Sequence, residues 1–253
     1  MNTLRVRNLE LGSGIPKICV PLVGTSREEI FAQAEALRSI PVDLVEWRAD
    51  WFDGVSDFSQ VRAVLQQLRE IVGNLPLLFT FRTAKEGGQR DMEPPVYAQW
   101  NIQAAQSGYV DLVDVELFTG TDTVKEVVEN AHNVGVKVVV SNHDFHQTPD
   151  RETILQRLCM MQDLGADIPK IAVMPQSPQD VLTLLAATEE MVRLYAKRPI
   201  ITMSMGGTGA ISRLCGEVFG SAVTFGSATR ASAPGQMEVQ HLHGVLNLLH
   251  EAL

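Results

Sequence analysis

The sequence contains few cysteines, and their spacing is unsuited to a disulfide framework or a metal site. Cys19, Cys159 and Cys215 are the only three, and no two of them form a Cys-x-x-Cys pair. Three thiols so far apart in the chain give neither the disulfide pattern of a small secreted protein nor the spacing of a zinc site. We therefore expect a protein of a reducing compartment, and the cytoplasm fits best.

The chain also lacks long apolar runs and an excess of positive charge. Residues 1–16 mix charged and apolar side chains, unlike a signal peptide, and no stretch approaches transmembrane length. The formal net charge is -9, so the overall field repels nucleic acid and anionic lipid. The sequence predicts no nucleic-acid partner and no membrane partner, and an anionic small molecule would need a local basic pocket.

No low-complexity tract or linker-like change in composition divides the chain. Short apolar runs instead alternate with segments of helical periodicity. The predicted strands span residues 17–22, 43–47, 77–81, 110–115, 136–141, 168–174, 199–204 and 222–225. The first predicted helix begins at Ser26, and the others span residues 58–72, 96–107, 123–134, 151–164, 178–195, 209–219 and 237–253.

Eight strand-then-helix units favour an α/β fold of the closed (β/α)8 TIM-barrel type, with residues 1–253 as a single catalytic domain. Alternation of Leu4, Val6 and Leu9 predicts a short N-terminal hairpin. An open doubly wound sheet is the alternative, but the sequence lacks the dinucleotide-binding fingerprint that would favour it. In a barrel, reactive side chains lie at the carboxyl ends of the strands and in the loops after them.

One lysine lies inside the predicted sixth strand. Period-two alternation places Lys170 on the same face as Ile168 and Ala172. An ammonium held there would lose hydration, which disfavours its charged form and makes the amine a nucleophile toward carbonyl groups. The alternative is a lysine at a frayed strand end that extends into water.

Further charged side chains follow the second and third strands. Glu46 and Arg48 share one face at the end of the second strand, a pattern typical of a structural ion pair as well as of a ligand site. Arg82 follows the third strand on the face of Thr80, which also points to the predicted barrel mouth. For the more distant Lys85 and Arg90 we expect a solvated loop.

Acids and histidines meet at the same predicted mouth. Asp114 and Glu116 share a face of the fourth strand, and His143 and His146 follow the fifth. One hypothesis is a metal site built from these four residues. The other is metal-free catalysis, in which His143 moves protons beside a carbonyl that Lys170 has converted to an imine. The lysine favours the second hypothesis, since an iminium already supplies the electron sink of a metal.

Glycines and an arginine follow the seventh strand. Residues 206–209 contain three glycines, which allow close backbone approach, and Arg213 can bind a carboxylate through two hydrogen bonds. Loops at this position of a barrel often bind anions. A flexible connector explains the glycines equally well. After the eighth strand, Ser232 and Gln236 belong to a polar turn that can close over a ligand.

Six segments, in this order along the chain, resemble the type I 3-dehydroquinate dehydratases. They are EWR in the second strand, FTFRTAKEGG in and after the third, SNHDFHQTP after the fifth, ADIPKIAVMPQ around the sixth, ITMSMG at the seventh and SAPGQ after the eighth. The resemblance covers essentially the whole chain. It implies a homodimeric (β/α)8 barrel that dehydrates 3-dehydroquinate to 3-dehydroshikimate on the pathway to aromatic amino acids, and it implies no metal and no dissociable cofactor.

The resemblance also implies a role for each matched residue. Lys170 would form the Schiff base with the substrate ketone, His143 would transfer protons, and Glu86 would orient and polarise His143. Arg213 would bind the substrate carboxylate. The residues that would hold the ring hydroxyls and close the pocket are Glu46, Arg48, Arg82, Ser232 and Gln236. Reasoning from the residues alone reaches the same cluster except for Glu86.

Two positions depart from the family pattern. Pro21 stands where some relatives carry serine, and the glycines of residues 206–207 make a less bulky loop than we expect in enteric relatives. Both concern ligand affinity and loop mobility rather than the type of reaction. Two other functions remain open, namely an aldolase-like lyase that uses the same lysine on a different ketone, and a catalytically silent barrel that binds small carboxylates.

Overall fold

The computed structural model describes residues 3–228 and 232–253, and its strands form a hairpin and a barrel. The hairpin pairs β1 (Leu4–Val6) with β2 (Leu9–Leu11) in antiparallel fashion. Within the described ranges the barrel strands are β3 (Lys17–Leu22), β4 (Leu44–Arg48), β5 (Leu77–Thr80), β6 (Leu112–Glu116), β7 (Lys137–Asp144), β8 (Ile168–Val173), β9 (Ile201–Ser204) and β10 (Val223–Ser227). A short β11 (Met237–Glu238) pairs with β10.

The barrel closes through β10, which lies between β9 and β3. Neighbouring strands from β3 to β9 pair in parallel in chain order, and β10 pairs with β3. Between β9 and β10 there is a single parallel bridge, from Ile200 to Ser221, and the amide of Ala222 donates to the Ile200 carbonyl at 2.8 Å. This closure confirms the predicted (β/α)8 fold. The pairing of β1 with β2 confirms the predicted hairpin.

The helices form the outer layer of the barrel. They are α1 (Arg27–Ala36), α2 (Phe58–Val72), α3 (Pro94–Gln106), α4 (Thr121–Asn133), α5 (Arg151–Asp163), α6 (Pro178–Glu190), α7 (Gly216–Phe219) and α8 (Val239–His250). Local sequence determines several of their starts. Asp57 caps α2 by accepting from the Ser59 amide, and Ser177 and Asp180 form a capping box around Pro178 at the start of α6.

Three predicted boundaries are wrong. β7 continues through Asp144 instead of ending at residue 141, because His143 and Asp144 keep pairing with β8. The predicted helix 209–219 consists of a 3-10 turn, Ala210–Arg213, followed by α7. The predicted helix 178–195 is α-helical only as far as Glu190 and ends in a π-helical turn.

Apolar side chains pack both inside the barrel and between the barrel and its helices. The layer under the helices contains large residues such as Trp47, Phe79 and Tyr97. Inside the barrel, Leu4 and Leu11 of the hairpin pack with inward side chains of the strands, so the hairpin covers the amino-terminal end. The buried polar and charged side chains of the cavity lie at the opposite, carboxyl end. In the described part of the chain no helix is long and apolar enough to cross a membrane.

Candidate active site

Lys170 lies in β8 with its side chain inside the barrel and only 4% of its surface exposed. Its Nζ is 3.4 Å from Asp114 Oδ2 and 3.7 Å from Glu46 Oε1. The ammonium also lies over the ring of Phe225, 4.6 Å from the centroid. The alternative of a solvated lysine at a frayed strand end is therefore wrong.

Two carboxylates lie beside Lys170. The argument from its strand position considered only the loss of hydration, whereas Asp114 and Glu46 both face the amine. A positive nitrogen at this position, whether an ammonium or an iminium, is compensated by the two carboxylates. The site is suited to hold a cationic nitrogen as well as to release a nucleophile.

His143 lies in the last residues of β7 and is bonded to Glu86. Glu86 Oε2 accepts from the backbone N–H of His143 at 2.9 Å and lies 2.9 Å from Nδ1 of its ring. Asn142 Nδ2 donates to Glu86 Oε1 at 3.2 Å. With Nδ1–H donating to the carboxylate, Nε2 keeps a free lone pair for a ligand.

Burial governs the protonation of this pair. It raises the pKa of the Glu86 carboxyl to about 8, against the lowering effect of the nearby Arg82 guanidinium. Burial also holds the pKa of His143 well below its ordinary value, in the same direction as the positive charges of Arg82, Lys170 and Arg48. Because they share a short hydrogen bond, the two groups take up a proton as a pair.

Arg82 connects the carboxylates around the two reactive residues. Its Nη2 donates to Asp114 at 2.8 Å and its Nη1 to Glu116 at 2.9 Å. The same Nη1 donates to the Ser141 hydroxyl at 3.0 Å and lies 3.7 Å from Glu86 Oε2. Both terminal nitrogens therefore have protein partners, so the guanidinium links the lysine side of the site to the histidine side.

These bonds also decide against the alternative hypothesis of a four-residue metal site. Asp114 and Glu116 are occupied by Arg82, and His146 is exposed on the surface. Across residues 3–228 and 232–253, no three or more His, Cys, Asp or Glu side chains are grouped so that they can hold a metal ion. The four side chains therefore do not form a ligand set.

A cavity lies above Lys170 at the carboxyl end of the barrel. All of the predicted site residues except Arg213 line it. Apolar side chains complete its wall, among them Phe145, Met203, Met205 and Phe225. These apolar residues were not predicted as site residues. Period-two alternation in the eighth strand could have shown that Phe225 points into the barrel.

Arg213 lies behind this cavity and is only 2% exposed. Its Nη2 donates to the Pro234 carbonyl at 3.0 Å, its Nη1 is 3.6 Å from Met203 Sδ, and its Nε is buried without a hydrogen-bond partner. No ion pair with it exists among the described residues. Burial lowers the pKa of Arg213 to about 10, so the group is still charged at neutral pH. A buried guanidinium without a counter-charge is suited to receive a carboxylate from a ligand.

The remaining predicted site residues are held by neighbouring side chains. Arg48 Nε and Nη2 donate to the two oxygens of Asp50 at 2.7 and 2.8 Å, and Glu46 accepts from the Thr80 hydroxyl at 2.9 Å. Sequence reasoning missed Asp50, although it stands two residues after Arg48. Pro21 is buried in β3 opposite Glu46 and offers no side-chain hydrogen bond, as expected.

The loops after β9 and β10 touch through their glycines. The Gly206 amide donates to the Pro234 carbonyl at 3.2 Å, and a Cβ on Gly235 would lie only 2.4 Å from the Gly206 oxygen. Gln236 Nε2 donates to the Ser232 hydroxyl at 2.9 Å. The glycines therefore allow close packing of two loops, which replaces the interpretation as a flexible connector.

The chain is similar to known proteins over nearly its whole length. The family model described as type I 3-dehydroquinase matches residues 18–252. A 3-dehydroquinate dehydratase from Clostridioides difficile is 52% identical over 250 residues, which are 99% of this chain and 98% of that protein. A 3-dehydroquinate dehydratase from Salmonella typhimurium is 54% identical over 252 residues and is covered completely, as is this chain.

A solved structure also matches over the full length. It is the crystal structure of type I 3-dehydroquinate dehydratase from Clostridium difficile with covalent modified comenic acid, which superposes with a TM-score of 0.97 at 52% identity. The match covers 100% of this chain and 99% of that one. Given a matching family model, full-length relatives and the same fold, this chain belongs to the type I 3-dehydroquinase family.

Proposed function

We propose that this protein dehydrates 3-dehydroquinate to 3-dehydroshikimate, a step of the shikimate pathway to aromatic amino acids, through a Schiff base on Lys170. One observation carries the proposal. A buried lysine amine and a histidine held by a carboxylate line the same cavity at the carboxyl end of the barrel. The names of the full-length relatives support the choice of substrate.

In the first step, the unprotonated Nζ of Lys170 attacks the ketone carbon of the substrate. The carbonyl oxygen takes up one proton from the amine and one from water and leaves as water, and the nitrogen becomes a positively charged iminium. Asp114 and Glu46 lie within 3.7 Å of the nitrogen and compensate this charge. The face of the Phe225 ring adds a further favourable contact for a cation.

In the second step, His143 moves protons beside the iminium. The iminium acidifies the adjacent carbon, Nε2 of His143 takes its proton, and the bond electrons form an enamine. The enamine then expels the neighbouring hydroxyl, which leaves as water with the proton from His143. Hydrolysis of the product imine returns free Lys170. Glu86 maintains the Nδ1–H tautomer that leaves Nε2 available.

We assign substrate binding to the charged and polar residues around the cavity. Arg213 would hold the carboxylate, because it is buried without a counter-charge. The side chains assigned to the ring hydroxyls and to closing the pocket are Glu46, Arg48, Arg82, Ser232 and Gln236. Since three N–H groups of Arg82 already have partners inside the protein, its contribution to binding is through its two remaining N–H donors and its charge.

We further propose a cytoplasmic homodimer that acts without a metal or a dissociable cofactor, with the whole chain as one catalytic domain. Free thiols at all three cysteines support a reducing compartment. Exposed apolar side chains on α6 and α7, including Leu182 and Val218, support an interface between two copies. Sedimentation of the purified protein tests the dimer, and a monomer at micromolar concentration would contradict it.

The function is tested by following the ultraviolet absorbance of the conjugated enone carboxylate that dehydration produces. Wild-type protein with 3-dehydroquinate should develop this absorbance, and treatment with a chelator should not reduce the rate. Consumption of substrate without the chromophore would favour the aldolase-like lyase. Binding without consumption would favour a silent barrel.

A further inference from the structure

A chain of hydrogen bonds connects the helical layer to His143. Nη1 of Arg157, on α5, donates to Asn142 Oδ1 at 2.8 Å. The same amide donates from Nδ2 to Glu86 Oε1 at 3.2 Å, and Glu86 Oε2 contacts His143 Nδ1 at 2.9 Å. Arg157 is therefore connected to the reactive imidazole through two intervening side chains, although it lies outside the barrel.

Arg157 determines which way the Asn142 amide points. A guanidinium can only donate hydrogen bonds, so the amide must turn its oxygen to Arg157 and its nitrogen to Glu86. The reverse orientation would set two donors against each other and place an amide oxygen against a carboxylate oxygen. Asn142 is only 4% exposed, so bulk water has little access to relieve such a mismatch. The arginine thus keeps an N–H donor aimed at Glu86.

Arg157 is itself held in place from the surface. Its guanidinium carbon lies 5.4 Å from the centroid of the Phe118 ring, in the turn after β6. Within the described residues no ion pair competes for this guanidinium. Its hydrogen bond with Asn142 and its contact with Phe118 therefore fix the position of the side chain.

We propose that Arg157 is a positioning residue for the dehydration, which acts through Asn142 to hold the Glu86 carboxylate in place against His143. The kinetic part of this inference rests on the proposed function. Its structural part, the control of the Glu86–His143 pair from α5, does not.

Loss of the Asn142 donor changes the pH at which the Glu86–His143 pair titrates. The Asn142 donor lowers the pKa of Glu86, because it stabilises the carboxylate. Without that donor, the pair takes up its proton at a higher pH, and a protonated pair cannot accept a proton from the substrate. Loss of the Asn142 donor leaves the other charged groups that face the pair in place. They are Arg82, Arg48, Lys170 and Glu116.

The test compares Arg157→Met with Asn142→Ala, with the double variant, and with Arg151→Met as control. Arg151 lies on the same helix, where its side chain is 56% exposed and pairs with Glu190 at 3.4 Å. Two quantities are measured, namely the pH profile of kcat and the NMR titration of the His143 ring in the absence of substrate. The second needs no activity, so it tests the positioning even if 3-dehydroquinate is not the substrate.

We expect Arg157→Met to lower kcat about tenfold and to move both titrations upward by about one pH unit. KM and borohydride trapping of the imine should stay near wild type, and Arg157→Lys should recover part of the loss because it keeps a donor. In the Asn142→Ala background, Arg157→Met should have no further effect, since the connection is already broken.

Two results would overturn the proposal. One is an Arg157→Met protein whose titrations match those of Arg151→Met. The other is a double variant in which the effects of Arg157→Met and Asn142→Ala add. Additive effects would mean that the charge of Arg157 acts on the pair directly and not through Asn142. Thermal unfolding of each variant identifies any that fail to fold. If Arg157→Met does not fold, Arg157→Ala replaces it, and unchanged titrations in Arg157→Ala would count against the proposal.

Discussion

Charge is distributed unevenly among the cations at the barrel mouth. Arg82 has Asp114 and Glu116 as direct partners, and Lys170 has two carboxylates within 3.7 Å. Arg213 has none within residues 3–228 and 232–253, although it is almost completely buried. The lysine end of the site is therefore compensated before a ligand binds, whereas the Arg213 end lacks one negative charge. A carboxylate ligand oriented toward Arg213 supplies it.

The missing counter-charge at Arg213 gives the first prediction: loss of Arg213 should weaken substrate binding without lowering the stability of the free protein. Arg213→Met should raise KM by about 10- to 100-fold, because a hydrogen-bonded charge pair with the substrate is lost. The unfolding midpoint should not fall, since the variant removes a buried charge that has no counter-charge in the free protein. Steady-state kinetics and thermal unfolding check both halves, and a lower midpoint with an unchanged KM would contradict the assignment.

The second prediction separates the roles of Lys170 and His143. In His143→Ala, borohydride should still trap part of the substrate on Lys170, while turnover falls by about 100- to 10,000-fold because general acid–base catalysis is lost. Trapping is measured by the mass of the protein, and turnover by the product absorbance. Near-normal turnover would remove His143 from the mechanism.

The third prediction concerns the acidic side of the pH profile. Turnover should fall as the pH is lowered, because the pair of Glu86 and His143 then binds a proton and the imidazole no longer accepts one. Burial and nearby cations lower the pKa of His143, and the Glu86 carboxylate bonded to its ring opposes that lowering. In Glu86→Gln this anion is lost, the imidazolium is less stable, and the acidic limb should move to lower pH. A limb that stays in place in this variant would show that the pair does not titrate together.

At the scale of elements, the strand ends bring the reactive groups together. The sequence predicted His143 in a loop after the fifth strand, yet β7 extends to Asp144, and this extension places the ring beside β8. The prediction stopped early because Asn142, His143 and Asp144 have low strand propensity. Pairing with the neighbouring strand overrides that preference, so only the tertiary structure reveals it.

The hairpin is another element whose role depends on a distant contact. Arg7 Nε lies 2.5 Å and Arg69 Nη2 2.6 Å from the carboxylate of Asp111, which also accepts from the Leu77 amide at 2.9 Å. Asp111 therefore ties the hairpin to the amino-terminal end of two barrel strands. Alternation in the sequence predicts the hairpin, but nothing in the sequence pairs Arg7 with a residue 104 positions away.

From this contact follows the fourth prediction. Asp111→Ala should lower the free energy of unfolding by about 2 to 3 kcal/mol, because two arginines and a backbone amide lose a largely buried acceptor. The activity of the folded protein should be unchanged, since the site lies at the other end of the barrel. Urea unfolding measures the loss, with Glu189→Ala, which breaks an exposed pair, as the control that should have no measurable effect.

At the scale of the whole molecule, the eight-unit alternation was enough to predict the barrel, because each strand needs helices on its outer face. Periodicity does not identify the last contact, the bridge from Ile200 to Ser221 that closes the sheet. For the site, alternation placed Lys170 and Arg82 inside the barrel. The role of Glu86 came only from the family resemblance, because a carboxylate in a loop gives no local signal of its partner. No site role was predicted for Phe225, Asn142 or Arg157. Their contacts are with residues distant in the sequence, which only the structure brings together.

The central claim is that Lys170 forms an imine with the substrate ketone, and reductive trapping tests it most directly. Wild-type protein is treated with borohydride in the presence of 3-dehydroquinate, digested, and analysed by mass spectrometry. We predict an adduct on the peptide that contains Lys170, with loss of activity, and no adduct when Lys170→Met is treated in the same way. Active protein that turns over substrate but gives no adduct, or an adduct on another residue, would contradict the account.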